Sequence, residues 1–296
     1  MRILFVSSNR IGDAVITCGV LDHLIRTYPQ ARITIACGPA AQGVFARMPN
    51  RDRTILVVKH KNDSHWLKLW WATVSTVWDL VVDMRGSLLV YFLPAKRRAV
   101  RRRVPGRMFE QYAHILGITP APLPVVWTAP EDRARAQAIL PSDRPVIAFG
   151  ATANWAPKVW PAERFAALYE KLRAGPLPHA AVAVFAGPGE AERAMAAPLL
   201  AALPGAIDLC GTLALPEVAA CIQRCALYVG NDSGLMHLAA ASGTPTIGLC
   251  GTTIDRAEEM APAGLHAAWA LADGTTMESL SVDTAYAACV KMLASV

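Results

Sequence analysis

The stretch Tyr228 to Pro245 (YVGNDSGLMHLAAASGTP) leaves little choice of local structure. Ala226 to Val229 is apolar enough to end a buried strand, and Gly230-Asn231-Asp232 breaks it. Ser233 to Ala241 has helical spacing, with Leu235, Leu238 and Ala239 able to share a face. Gly243 stops that helix, Pro245 prevents its return, and Thr246 to Cys250 is the next strand. Asp232, Ser233 and Gly234 therefore stand where a helix begins at the carboxyl end of a strand. Backbone N–H groups there lack partners inside the helix, and the helix dipole favours negative charge. His237, about one turn in, can face back over the same end. An anion cradle, a carboxylate and an imidazole thus coincide. An ordinary N-cap acid and a half-buried histidine would give the same spacing.

The chain opens on a related pattern. Ile3 to Val6 is a short apolar strand, and Ser7 to Asp13 is a polar loop holding Gly12. A helix follows, with Ile16, Val20, Leu21, Leu24 and Ile25 on one stripe, and Arg32 to Ala36 is a second strand. A β-α-β start requires a parallel sheet, and Asp13 then lies at its ligand-binding edge. An acid that only complements the helix dipole is the plainer alternative. After a proline-rich passage from Pro120 to Pro145, Val146 to Phe149 restarts the strand pattern. The loop Gly150 to Pro161 carries Lys158, which can reach a phosphate or simply face water; Pro161 opens a helix over Ala162 to Leu172. Ala181 to Ala186 is a strand leading into Gly187-Pro188-Gly189-Glu190. Glu192 stands where a dinucleotide fingerprint needs a small residue, and Pro188 removes a donor, so a nicotinamide site is disfavoured. Glu190 is placed either for ribose hydroxyls or for the helix dipole. Leu213 to Cys225 and Val282 to Ser295 read as further helices, the last amphipathic enough to pack back on the first half.

Composition narrows the partners. With 296 residues, 53% hydrophobic and 18% charged, the chain is globular and long enough for two α/β domains. Its formal charge of +6 points to an acidic partner. Seven basic side chains fall between Lys96 and Arg107, a run that suits an anionic glycolipid or membrane surface, or a solvated face; no nucleic-acid motif accompanies it. Trp66, Trp70, Val74 and Trp78 recur at steps of four, which predicts one helix whose broad side packs on the sheet or meets a lipid interface. No stretch reaches the ~18 apolar residues of a membrane span, and the N-terminal run is too short for a signal peptide. The seven cysteines show no C-x-x-C spacing and read as buried thiols, and no clustered metal ligands occur. A cytosolic protein is expected.

With these residues placed, the chain resembles the ADP-heptose:lipopolysaccharide heptosyltransferases, inverting enzymes of the GT-B fold. The resemblance rests on GNDSGLMHLAAASGTP (230–245), the Gly12-Asp13 loop, the K-x-W-P element at Lys158 to Pro161 and the GPGE turn, in the family's order and rough spacing. It implies an α/β chain of two Rossmann-like domains whose parallel sheets face a central cleft. Residues 1–142 would bind the acceptor, 143–280 the nucleotide sugar, and 281–296 would form the returning helix. Asp13 would match the general base, Lys158 the lysine on the donor phosphates and Glu190 the ribose contact. Leu213 would flank the adenine, and Asp232, Ser233, Gly234 and His237 would match the pyrophosphate and sugar site. Arg10, Arg85, Arg97, Arg98 and Arg101 would meet the anionic acceptor. No cofactor beyond the ADP-sugar is implied; a loosely held Mg²⁺ on its phosphates fits. Peripheral contact with the cytoplasmic face of the inner membrane also fits. Departures at Ala153 to Pro157 and at Cys250-Gly251-Thr252-Thr253 touch the donor's identity more than the reaction class. The competing readings are a GT-B enzyme with another donor, a sugar-nucleotide epimerase, and a non-catalytic nucleotide- or lipid-binding protein.

Overall fold

A computed structural model describes residues 1–59 and 64–296. The chain divides into two compact units, Met1–Trp127 and Thr128–Val296. The division falls just before the helix that Pro130 opens, which packs within the second unit.

The first unit contains β1 (Arg2–Val6), α1 (Ile11–Thr27), β2 (Arg32–Cys37), β3 (Arg51–Leu56), α2 (Ser64–Thr73), β4 (Trp78–Asp83), β5 (Ala95–Val100) and α3 (Met108–His114). Its sheet is parallel throughout, in the order β3-β2-β1-β4-β5. Parallel neighbours need crossovers that cover the sheet's faces, so central strands are apolar on both sides. In β1, Ile3, Leu4, Phe5 and Val6 are all fully buried. Strand order reverses between β1 and β4, which opens a crevice beyond their carboxyl ends.

The tryptophan row does not form one helix. α2 stops at Thr73, and Trp78 opens β4 instead. The β-branched Val74, Thr76 and Val77 weaken helix continuation. The Thr73 hydroxyl donates back to Leu69 O (2.6 Å), and the Trp78 indole N–H donates to Thr73 O (3.0 Å), which satisfies a terminal carbonyl. Trp78 is buried, Trp66 and Trp70 are half-buried, and Trp71 is exposed.

The second unit begins with α4 (Pro130–Ile139) and continues with β6 (Val146–Gly150), α5 (Ala162–Ala174), β7 (Ala181–Phe185), α6 (Glu190–Ala202) and β8 (Ile207–Asp208). Then come α7 (Leu215–Gln223), β9 (Leu227–Asn231), α8 (Gly234–Ala241), β10 (Thr246–Cys250), α9 (Ile254–Glu259), β11 (Ala267–Leu271) and α10 (Val282–Leu293). Its sheet is again parallel, in the order β11-β10-β9-β6-β7-β8, and reverses between β6 and β9. Each unit is thus a Rossmann-like domain. α4 packs on α7, and α10 packs on α5, β10 and β11 of its own unit.

Two glycines let the reversal point close tightly. A Cβ on Gly150 would lie 1.9 Å from the Tyr228 hydroxyl, and one on Gly230 would lie 2.6 Å from it. Tyr228 is fully buried, so its ring has nowhere to retreat. Gly150→Ala is expected to destabilise the second unit by about 1–3 kcal/mol through overpacking. A thermal melt would read this as a lowered midpoint, and an unchanged midpoint would show that the ring has room to move.

Candidate active site

The site residues are gathered by topology, so each sheet edge can be built in turn. In the first unit, β1 ends at Val6 and the loop to α1 crosses its carboxyl end. Arg10 is the N-cap position of α1 and Asp13 lies in its first turn. The Ser8 hydroxyl donates to Asp13 Oδ2 (3.1 Å) and accepts from Arg10 N (3.3 Å), so the loop itself orients the carboxylate. A Cβ on Gly38 would fall 2.7 Å from Asn9, so the end of β2 must be bare for this loop to pass.

The loop after β4 is held from below. Asp83 is fully buried at the last position of the strand. Its carboxylate accepts from Arg85 N (2.8 Å), Ser87 N (2.7 Å) and Ser87 Oγ (2.6 Å). This directs Arg85 toward the neighbouring loop, where its guanidinium donates to Asn9 Oδ1 (3.3 Å) and stacks 4.7 Å above Trp66. Arg101 follows β5 and lies 5.0 Å over the Tyr112 ring. Burial raises the Tyr112 hydroxyl to about 12, with the Asp13 carboxylate adding to the effect and Arg101 opposing it. Arg10, Asp13, Arg85 and Arg101 therefore share this edge. Arg97 and Arg98 lie mid-strand on β5. The Arg98 guanidinium is turned onto the carbonyls of Val90 (2.9 Å), Leu93 (2.5 Å) and Ala95 (3.1 Å).

In the second unit, four successive strands deliver the expected residues to one edge. Lys158 follows β6, Glu190 follows β7, Leu213 follows β8, and Asp232 to His237 follow β9. Lys158 Nζ pairs with Asp232 Oδ2, and both side chains are largely shielded, 29% and 18% exposed. Ser233, not Asp232, takes the N-cap position of α8, with extended backbone and no side-chain cap. The first amides of α8 thus keep their donors, and Gly234 is its first residue. His237 is buried one turn in. Gly189 adopts a positive φ of 105°, a turn only glycine makes easily, and sets Glu190 exposed at the head of α6. Gly211 N donates to Ala186 O (3.1 Å), so the loops bearing Glu190 and Leu213 adjoin.

Two residues on this edge were not among the expected site residues. Asn231, fully buried at the end of β9, accepts the Trp160 backbone N–H on Oδ1 (3.0 Å), which locks the lysine loop to the β9 loop. Its Nδ2 makes no hydrogen bond to any described residue. Cys250 ends β10 close to the ion pair. Burial pushes its thiol up to about 11, with Asp232 adding to the effect and Lys158 opposing it. Both sit at the last position of a strand entering the edge, which is the signal that would have found them. Among the described residues, no three of His, Cys, Asp and Glu cluster as metal ligands.

Comparison with known proteins agrees with this architecture. A family model described as glycosyltransferase family 9 (heptosyltransferase) matches residues 80–264, more than half of the chain. Lipooligosaccharide heptosyltransferase 2 of Haemophilus influenzae is 26% identical, over 86% of this chain and 84% of that protein. The glycosyl transferase family 9 structure from Veillonella parvula superposes with a TM-score of 0.82 at 21% identity, covering 100% of this chain and 97% of that one. The Escherichia coli ADP-heptose lps heptosyltransferase II structure superposes with a TM-score of 0.81 at 22% identity, covering 100% and 99%.

Asp83→Ala removes the acceptor of three hydrogen bonds from the first unit's edge. It is expected to cost about 3 kcal/mol, since bonds to a buried charge are the strong ones. Urea denaturation measures the loss, and faster tryptic cleavage after Arg85 would report the freed loop.

Proposed function

The chain belongs to glycosyltransferase family 9 and is a glycosyltransferase, and from that premise we propose that it transfers heptose, with inversion, from ADP-heptose to a lipopolysaccharide-core acceptor. The observation that carries the reading is the meeting of Lys158, Asp232 and the amino end of α8 at the reversal point of the second sheet.

A sugar leaves a nucleotide diphosphate without a strong proton donor, but the departing phosphate needs its charge met. The α8 amides face that charge, and the helix-end contribution alone is about 0.3–2 kcal/mol. Lys158 supplies the remaining positive grip. Its ion pair with Asp232 fixes the ammonium over the start of α8, and the donor diphosphate competes with the carboxylate for it. Asn231 Nδ2 is a further buried donor at the same place. Ser233 and Gly234 let the phosphates approach the helix, His237 and Asp232 lie toward the sugar, Glu190 takes the ribose hydroxyls, and Leu213 flanks the adenine. In the first unit, Asp13 takes the proton from the acceptor hydroxyl as it attacks, with Ser8 holding the carboxylate in place. Arg10, Arg85 and Arg101 supply positive charge for an anionic acceptor, whereas Arg97 and Arg98, mid-strand on β5, lie back from that edge. The proposal uses no resident metal; a Mg²⁺ ion would travel with the donor phosphates. An acceptor embedded in the inner membrane calls for peripheral contact from the cytoplasmic side.

Asp13→Ala should lower turnover by about 10²–10⁴-fold, the usual worth of a general base, while ADP binding stays intact. Steady-state kinetics beside calorimetry separates the two, and unchanged turnover removes Asp13 from the mechanism. Lys158→Ala should weaken ADP binding by about 10–100-fold, as expected for one lost charge-assisted contact. Unaltered affinity for ADP would sink that assignment.

A further inference from the structure

Five large apolar side chains stand out on the first unit. Leu67 and Trp71 on α2 are 58% and 67% exposed; Leu88, Tyr91 and Phe92 on the 3-10 turn Leu88–Phe92 are 75%, 55% and 70% exposed. The two elements lie side by side. The Trp70 indole N–H donates to Phe92 O (3.0 Å), and its ring meets Trp71 edge-on at 5.1 Å. Beneath them Leu69, Val90 and Leu93 share one buried cluster. Packing therefore uses Val90, and Leu89 in part, and leaves Leu88, Tyr91 and Phe92 outward. Single exposed apolar residues need no explanation, but several from adjoining elements mark a surface that meets something.

Charge identifies what it meets. Lys68 is exposed on α2 between Leu67 and Trp71, Arg85 stacks on Trp66, and the Arg98 guanidinium lies against the carbonyls of the turn itself. The whole unit holds 18 Lys and Arg against 7 Asp and Glu, a net +11, whereas the second unit holds 11 against 16, a net −5. A second copy docked through the same face would bring two strongly positive units together. An anionic lipid surface matches both properties, because aromatic and aliphatic side chains settle at the interface while basic groups meet the headgroups. Arg85 belongs to the loop that leads into the turn and also reaches Asn9 in the loop before α1, which carries Asp13, so this face is continuous with the proposed acceptor edge.

We propose that α2 and the Leu88–Phe92 turn form the surface that rests on an anionic phospholipid bilayer, with Trp71, Leu88 and Phe92 entering the interface. This specifies the peripheral contact proposed above. The test is co-sedimentation of the full chain with vesicles of phosphatidylglycerol and phosphatidylethanolamine, against vesicles of phosphatidylcholine. The unaltered chain should sediment with the anionic vesicles, and less so at high salt. Leu88→Glu with Phe92→Glu should reduce partitioning by about tenfold or more, and Leu88→Gln with Phe92→Gln should also reduce it without adding charge. Circular dichroism should show both variants folded, and turnover on a deacylated, water-soluble acceptor should equal that of the unaltered chain. Failure of the unaltered chain to sediment overturns the proposal, as does equal binding by both variants. So does size-exclusion chromatography in which the unaltered chain is a dimer and the variants are monomers, since the face would then join copies. Vesicle binding through this face without heptose transfer would refute the reaction and leave the surface standing.

Discussion

The hydrogen bond from the Trp160 amide to the buried Asn231 side chain joins the two loops on which the candidate donor site depends. Those loops leave the sheet from β6 and β9, neighbours in space but far apart in sequence. Without a fixed link, Lys158 would be one flexible cation among many. The link has its own support. The Trp160 indole N–H donates to Leu280 O (2.9 Å), and Arg164 donates to the same carbonyl (2.7 Å), so the segment before α10 braces the lysine loop. The C-terminal segment thus does its visible work within its own unit, holding the loop that carries the cation.

Legibility in the sequence followed the strength of local signals. The order of strand, turn and helix from Tyr228 to Cys250 read out correctly, but the strand does not break at Gly230: β9 runs on through Gly230 and Asn231, which stay paired with β10. The β-α-β opening was equally plain. Edge strands were harder. β5 is made of Ala95–Val100 (AKRRAV), which reads as a basic run and becomes a strand only because β4 offers it an edge. β3 (RDRTIL) is similar, exposed or half-buried along its length. Tertiary pairing overrode composition in both cases.

The tryptophan row failed for a local reason. A step of four is compatible with a helix, but it says nothing about where β-branched residues end one, and Trp78 belonged to the following strand. The proline-rich passage does contain the division, yet α4 inside it packs on α7, a partner distant in sequence. Among the candidate site residues, topology brings the loops bearing Lys158, Glu190, Leu213 and Asp232 to one edge. Arg97 and Arg98 were grouped with Arg101 by proximity in sequence. In the sheet only Arg101 reaches the carboxyl edge, because the strand's own length separates them.

The two halves solve one problem with different chemistry. In each, the strand beyond the reversal point ends on a fully buried polar residue that fixes a functional loop: Asp83 on β4 and Asn231 on β9. Asp83 needs its charge, since it serves three donors at once and stands in a unit rich in arginine. Asn231 serves one backbone donor beside Asp232, where a second carboxylate would oppose the helix end and repel the first. A neutral amide gives the same mechanical hold without adding a second carboxylate beside the Lys158–Asp232 pair.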